Sequence, residues 1–239
     1  MNGDAPPGWP ASLPRCHCAE SRGLAAFPAT LARAVEAAIF NAEVAALIEA
    51  AHDFGARGWT PATSGNYSLR LNRDTLLMTR SGVDKRRLDS RGLMAMTSDG
   101  KPLTEAVPSA EAALHVQIYR SLPKARAVLH VHSPAATVAS RRSAARREIV
   151  LQNYELLKAF EGVETHSVQL SIPVVANHQD MEPLARSVAP FLGRPGYCPG
   201  YLIEGHGIYA WGASVADAAR HLDAFDFLLN CELLETRSP

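Results

Sequence analysis

A three-layer α/β domain with a partly antiparallel sheet is the fold this sequence predicts. Three observations point to it. Short β-like runs alternate with helical stretches beyond about residue 58. Two of those runs, 67–71 and 75–79, are separated only by the turn signal Asn72-Arg73-Asp74, which implies antiparallel pairing. The chain has 239 residues, 47% of them hydrophobic, enough for one large domain with a full core.

Residues 1–28 hold several Pro and Gly without periodicity and are expected to form a flexible extension, leaving 29–239 as the single domain. From Leu31 the apolar residues Val35, Ile39, Val44, Leu47, Ile48 and Ala51 recur at helical spacing, so one long helix is expected over 31–57, ended by Gly55 and Gly58. A helix is expected over 109–119, with Ser109 as N-cap and acidic Glu111 in its first turn. The apolar run 125–131 reads as a strand, as do the neighbours of Val150 and residues 168–175. Residues 201–211 read as two strand segments around Gly205-His206-Gly207. Ser214 caps a last helix over 215–234, with Leu222, Phe225, Leu229 and Leu233 on one face. The basic stretch Arg141-Arg142-Ser143-Ala144-Ala145-Arg146-Arg147 reads as a solvated loop.

Lys plus Arg and Asp plus Glu both total 24, so net charge gives no reason to expect nucleic acid or an anionic membrane as partner. No apolar run approaches the roughly 20 residues of a membrane span. The N-terminus has neither the basic start nor the apolar stretch of a secretory signal. Cys16, Cys18, Cys198 and Cys231 lack the spacing of a disulfide framework, and a reducing cytoplasm is the expected compartment. Cys16-His17-Cys18 has no matching ligand pair and is read as incidental.

Of nine histidines, two stand at one strand end. His130 and His132 follow Ala127-Val128-Leu129, and a period of two sends both imidazoles to one face, a natural pair of zinc ligands. His206, flanked by glycines, is suited to a tight turn pointing into a cleft. From spacing alone it is either a third ligand or a turn residue bonded to backbone.

Taken together, Ser64-Gly65-Asn66, Thr79-Arg80-Ser81-Gly82, Pro108-Ser109-Ala110-Glu111, His130-Val131-His132 and Gly205-His206-Gly207 resemble the class II aldolase and adducin superfamily over about residues 35–235. The resemblance implies an αβα sandwich with a mixed, largely antiparallel central sheet, a homotetramer, and one Zn2+ per subunit held by His130, His132 and His206. It also implies that Ser64, Gly65, Asn66, Thr79, Ser81 and Gly82 grip a substrate phosphate, where small residues let backbone N–H groups close on its oxygens.

Ser81-Gly82-Val83-Asp84-Lys85, Glu155 and the run from Gly205 to Gly212 carry a closer likeness to the superfamily's dehydratases of methionine salvage. Those act on a small ketose phosphate with a methylthio tail. Tyr154 departs from their pattern, which reads Gln before the glutamate. By this likeness Glu155 ranks first as the acid/base, and Glu111, which matches the aldolases' glutamate, ranks second. The competing expectations are a fuculose- or ribulose-phosphate aldolase and a non-catalytic adducin-like binding module.

Overall fold

The structure, a computed structural model, describes residues 42–235. The extension expected over 1–28, Cys16-His17-Cys18 and the first part of the long helix lie outside the described residues. Eight strands form one sheet in the order β3-β2-β1-β4-β8-β7-β6-β5. They are β1 (Asn66–Arg70), β2 (Thr75–Thr79), β3 (Leu93–Thr97), β4 (Ala127–Val131), β5 (Glu148–Gln152), β6 (Gln169–Val175), β7 (Gly200–Ile203) and β8 (Gly207–Gly212). Only β6 and β7 pair in parallel; every other neighbouring pair is antiparallel. This is the mixed, largely antiparallel sheet that was expected.

Helices cover both faces. On one lie α1 (Ala42–Ala56), α3 (Pro134–Ser143) and α5 (Val215–Glu235); on the other lie α2 (Ala112–Ser121) and α4 (Met181–Val188). Alternation along the strands divides the core accordingly. Ala127, Leu129 and Val131 of β4, with Ile208 and Ala210 of β8, join Leu47, Phe54, Leu222 and Phe225. Val128 and Tyr209 join Leu114, Ile118, Leu184 and Val188. Full burial of a Leu or Phe side chain contributes about 1.5–3 kcal/mol, so two such clusters fix which face each strand residue takes.

Several elements differ from expectation. β3 and α4 were not foreseen. Arg141 and Arg142 lie in the last turn of α3 rather than in a loop. That helix starts at Ser133, whose Oγ accepts from the Ala136 N–H at 3.2 Å, with Pro134 in the first turn. Ser109 is not the N-cap of α2: it belongs to a preceding turn, closed by the Ala112 N–H on the Ser109 carbonyl at 3.1 Å, and Glu111 takes the cap position. Ser214 does cap α5, accepting from the Asp217 N–H at 3.1 Å.

Candidate active site

Strand register assembles the site. Asn66 of β1 lies opposite His130 of β4, and His130 lies opposite Tyr209 of β8. His130 is fully buried, and its Nδ1–H donates to the Ile208 carbonyl at 2.9 Å, which leaves the Nε2 lone pair free. His132 stands one residue past β4, its backbone N–H on the Trp59 carbonyl at 2.8 Å. Its Nε2 lies 2.9 Å from the Nε2 of His130.

His206 sits on the turn from β7 to β8, where two glycines are required for different reasons. Gly205 has φ +64°, and a Cβ on Gly207 would lie 2.3 Å from the Val131 carbonyl oxygen. Helix α3 braces the turn from behind: Thr137 Oγ1 donates to the His206 carbonyl at 3.1 Å, and Ser140 Oγ accepts from the Gly205 N–H at 3.0 Å.

One nitrogen from each of His130, His132 and His206 lies within 4.8 Å of the others. Zn–N bonds of about 2.0–2.1 Å would need only small side-chain adjustments to close on that set. Burial pushes His130 down to about 4 and His132 to about 3, the latter helped by the neighbouring imidazoles, so both present neutral donors at pH 7. The donor set therefore fits a divalent metal with an open fourth position.

Glu111 borders this cluster. Oε1 lies 3.1 Å from His206 Nε2 and Oε2 lies 3.3 Å from His130 Nε2. Oε2 also accepts from Asn66 Nδ2 at 2.9 Å and from the Tyr209 hydroxyl at 2.5 Å. Burial alone would raise the carboxyl's pKa; His130, His206, Tyr209 and Asn66 outweigh it and hold the group well below the usual carboxylate range.

Two lobes flank the cluster. One, of about 210 Å³, is lined by Ser64, Gly65, Asn66, Ser81, Gly82 and Lys85, with Glu111, His132 and His206 at its inner end. Its loop is strained in a useful sense: Ala62, Thr63 and Gly65 have φ of 50°, 64° and 76°, the left-handed backbone from which anion-binding concavities are built. Ser64 Oγ is buried with no partner among the described residues. Lys85 is buried, with Nζ donating to the Thr63 carbonyl at 2.7 Å, and burial lowers its pKa. The other lobe, about 370 Å³, is lined by Asn177, His178, Gln179 and Met181 beside the same three groups.

Most expected site residues meet here, with two exceptions. Thr79 is buried, its hydroxyl accepts from the Tyr67 N–H at 3.1 Å, and it does not line the lobe. Glu155 follows the edge strand β5, with its side chain 73% exposed and paired to Lys158 at 2.5 Å. Strand directions put the C-terminal end of β4 level with the start of β5, so Glu155 lies beyond the opposite end of the sheet from His132. Three strand spacings, about 14 Å, also separate β5 from β8 laterally. Within one chain Glu155 is not part of this site.

Sequence reading assigned no role to Lys85 or Tyr209 and left His115 as an ordinary helical histidine. Lys85 and Tyr209 each carried a local signal, their places in Ser81-Gly82-Val83-Asp84-Lys85 and in the run from Gly205 to Gly212; the role of His115 depends on long-range pairing.

The model of the class II aldolase and adducin N-terminal domain matches residues 45–233. A protein of Xanthomonas campestris pv. campestris (strain 8004) named methylthioribulose-1-phosphate dehydratase is 52% identical over 185 residues, covering 76% of this chain and 85% of the relative. One of the same name from Parvibaculum lavamentivorans is 49% identical over 181 residues, covering 76% and 88%. Among solved structures, the L-fuculose-1-phosphate aldolase of Thermus thermophilus superposes with a TM-score of 0.65 at 26% identity, covering 81% of this chain and 94% of that one. The sugar-phosphate aldolase of Thermotoga maritima shares the fold, with a TM-score of 0.61 at 15% identity, covering 88% and 98%. The chain belongs to the class II aldolase and adducin family.

Proposed function

We propose that this protein is a zinc-dependent hydro-lyase that converts 5-methylthioribulose 1-phosphate to 2,3-diketo-5-methylthiopentyl 1-phosphate in methionine salvage. The observation that carries the reading is a conjunction in one chain. It has 52% identity to a relative bearing the dehydratase name, and three imidazoles stand beside a small lobe lined by hydroxyls and a lysine. His130, His132 and His206 would hold the metal, which when bound supplies Lewis-acid polarisation of the substrate's C2 carbonyl and C3 hydroxyl oxygens.

Ser64, Ser81, Lys85 and the backbone N–H groups around Gly65 and Gly82 bind the phosphate on C1. A carboxylate takes the C3 proton and returns it to the departing C4 hydroxyl, so one C–H and one C–O bond break and one water leaves. The enol that remains becomes the diketone. Oε2 of Glu111 accepts from Asn66 and Tyr209, and its two oxygens lie 3.1 Å and 3.3 Å from His206 and His130, which suits it to ordering the site. Glu155 serves as the acid/base from a neighbouring copy in the homotetramer, with Glu111 the second candidate. The catalytic domain spans residues 29–239, and the protein works in the cytoplasm.

The test is mass spectrometry of methylthioribulose 1-phosphate incubated with the zinc-loaded protein. Loss of one water, absent with His130→Ala, is expected. An unchanged substrate sinks the dehydratase reading. The alternative favoured by the superposition on an L-fuculose-1-phosphate aldolase is carbon–carbon cleavage, which would appear as a smaller aldehyde product from the same substrate or from fuculose or ribulose phosphates.

A further inference from the structure

A buried chain of polar groups runs from helix α2 into the site. The Tyr119 hydroxyl lies 2.9 Å from Ser68 Oγ, Ser68 Oγ lies 2.7 Å from His115 Nδ1, and His115 Nε2 lies 2.5 Å from Asn66 Oδ1. Asn66 Nδ2 then donates to Glu111 Oε2 at 2.9 Å. Ser68 and His115 are fully buried, Tyr119 is 3% exposed and Asn66 5%. Water therefore does not set their orientations.

The anion at the end fixes the sense of the chain. Glu111 accepts only, so Asn66 must turn its amide N–H toward it and its carbonyl toward His115. His115 must then carry its proton on Nε2, and its Nδ1 must accept from the Ser68 hydroxyl, which leaves Ser68 to accept from Tyr119. The opposite tautomer would set two acceptors face to face at Asn66, or flip the amide and aim its oxygen at the carboxylate.

We infer that His115 is a positioning residue: by donating from Nε2 it locks the Asn66 amide, and through it holds Glu111 in register with the metal-binding imidazoles. The inference rests on the reading that this cluster is the reacting centre.

Two isosteric replacements separate positioning from mere core filling. In His115→Gln the amide nitrogen occupies the place of Nε2 and can still donate to Asn66. In His115→Asn it occupies the place of Nδ1 and reaches Ser68 but not Asn66. Each variant is loaded with Co2+, and its visible absorption spectrum is recorded together with kcat and KM. The expectation is that Gln keeps the wild-type spectrum and a near-wild-type kcat. Asn should shift the spectrum and lower kcat about 10- to 100-fold, the range typical of groups behind a metal site, with KM little changed. Equal spectra and equal kcat per bound metal in the two variants would overturn the proposal.

If His115→Asn does not fold, Ser68→Ala tests the same chain by freeing Nδ1: a spectral shift supports the lock and an unchanged spectrum refutes it. Should the wild type fail to dehydrate its substrate, the proposed function falls, and the cobalt spectra still decide the role of His115.

Discussion

At the residue scale, burial decides what each imidazole can do. His115 is fully buried, and burial pushes its pKa down to about 4 against the opposing pull of Glu111. An unfolded histidine titrates near 6.5, so between these values the unfolded chain holds a proton that the folded chain excludes. Stability is then fully present above about pH 6.5 and is lost as pH falls toward 4. Over that window His115 alone should cost about 2–3 kcal/mol. Urea unfolding of the metal-free protein at pH 7.5 and 4.5 should show this loss in the wild type and a smaller one in His115→Gln; equal losses would show that the histidine is not excluded from protonation. The same scale limits what a sequence discloses. His130 and His132 were legible as a pair because a period of two sends neighbours along a strand to one face, whereas His206 stayed open between ligand and turn residue until the family resemblance was added. The engagement of His115, Tyr209 and Glu111 was not legible, because each depends on pairing between residues 45 to 98 positions apart.

At the element scale, the site is the meeting of β4, β8 and α3, and the packing between them leaves no slack. Ser140 on α3 receives the Gly205 N–H, and Thr137 holds the His206 carbonyl. Removing the Ser140 hydroxyl takes one hydrogen bond from the N–H of the exposed Gly205, at a net cost of about 0.5–1.5 kcal/mol. Ser140→Ala should therefore lower the melting temperature and weaken zinc affinity about 10-fold or more, as measured by competition with a chromogenic chelator; unchanged affinity would show that the β7–β8 turn holds its shape without α3. Gly207→Ala is the harsher test, because the new Cβ would meet the Val131 carbonyl at 2.3 Å. Strands β4 and β8 must part to admit it, and overpacking of this kind costs about 1–3 kcal/mol. The expected result is a lowered melting temperature with substoichiometric zinc by elemental analysis; a full complement of metal would mean that the strands yield elsewhere. Helix α3 itself was readable in principle from Ser133-Pro134, a cap followed by a first-turn proline. The four arginines of residues 141–147, two of them in that helix's last turn, pointed to solvation instead, and the short strand β3 gave no alternation strong enough to mark it.

At the scale of the whole molecule, the pairing of β1 with β2 followed from the turn signal Asn72-Arg73-Asp74, but the rest of the strand order did not, and that order places Glu155 far from the cluster. This separation makes the quaternary arrangement a chemical question. The side chain of Glu155 is 73% exposed and, among the described residues, pairs with Lys158 and His166. A site that uses it must be completed by a second copy, so damage to the metal ligands and damage to Glu155 can be carried on different chains. Subunits bearing His130→Ala and subunits bearing Glu155→Gln, each expected to be inactive alone, should regain part of the wild-type turnover when denatured and refolded together. Some sites in the mixed assemblies would then receive intact imidazoles from one chain and an intact carboxylate from another. Refolding His130→Ala with Glu111→Gln subunits is the control. Glu111 touches the imidazoles of its own chain, so every cluster in that mixture carries one of the two defects and no turnover should return. Absence of complementation, with Glu155→Gln active by itself and Glu111→Gln inactive, would transfer the proton chemistry to Glu111 and close the site within one chain.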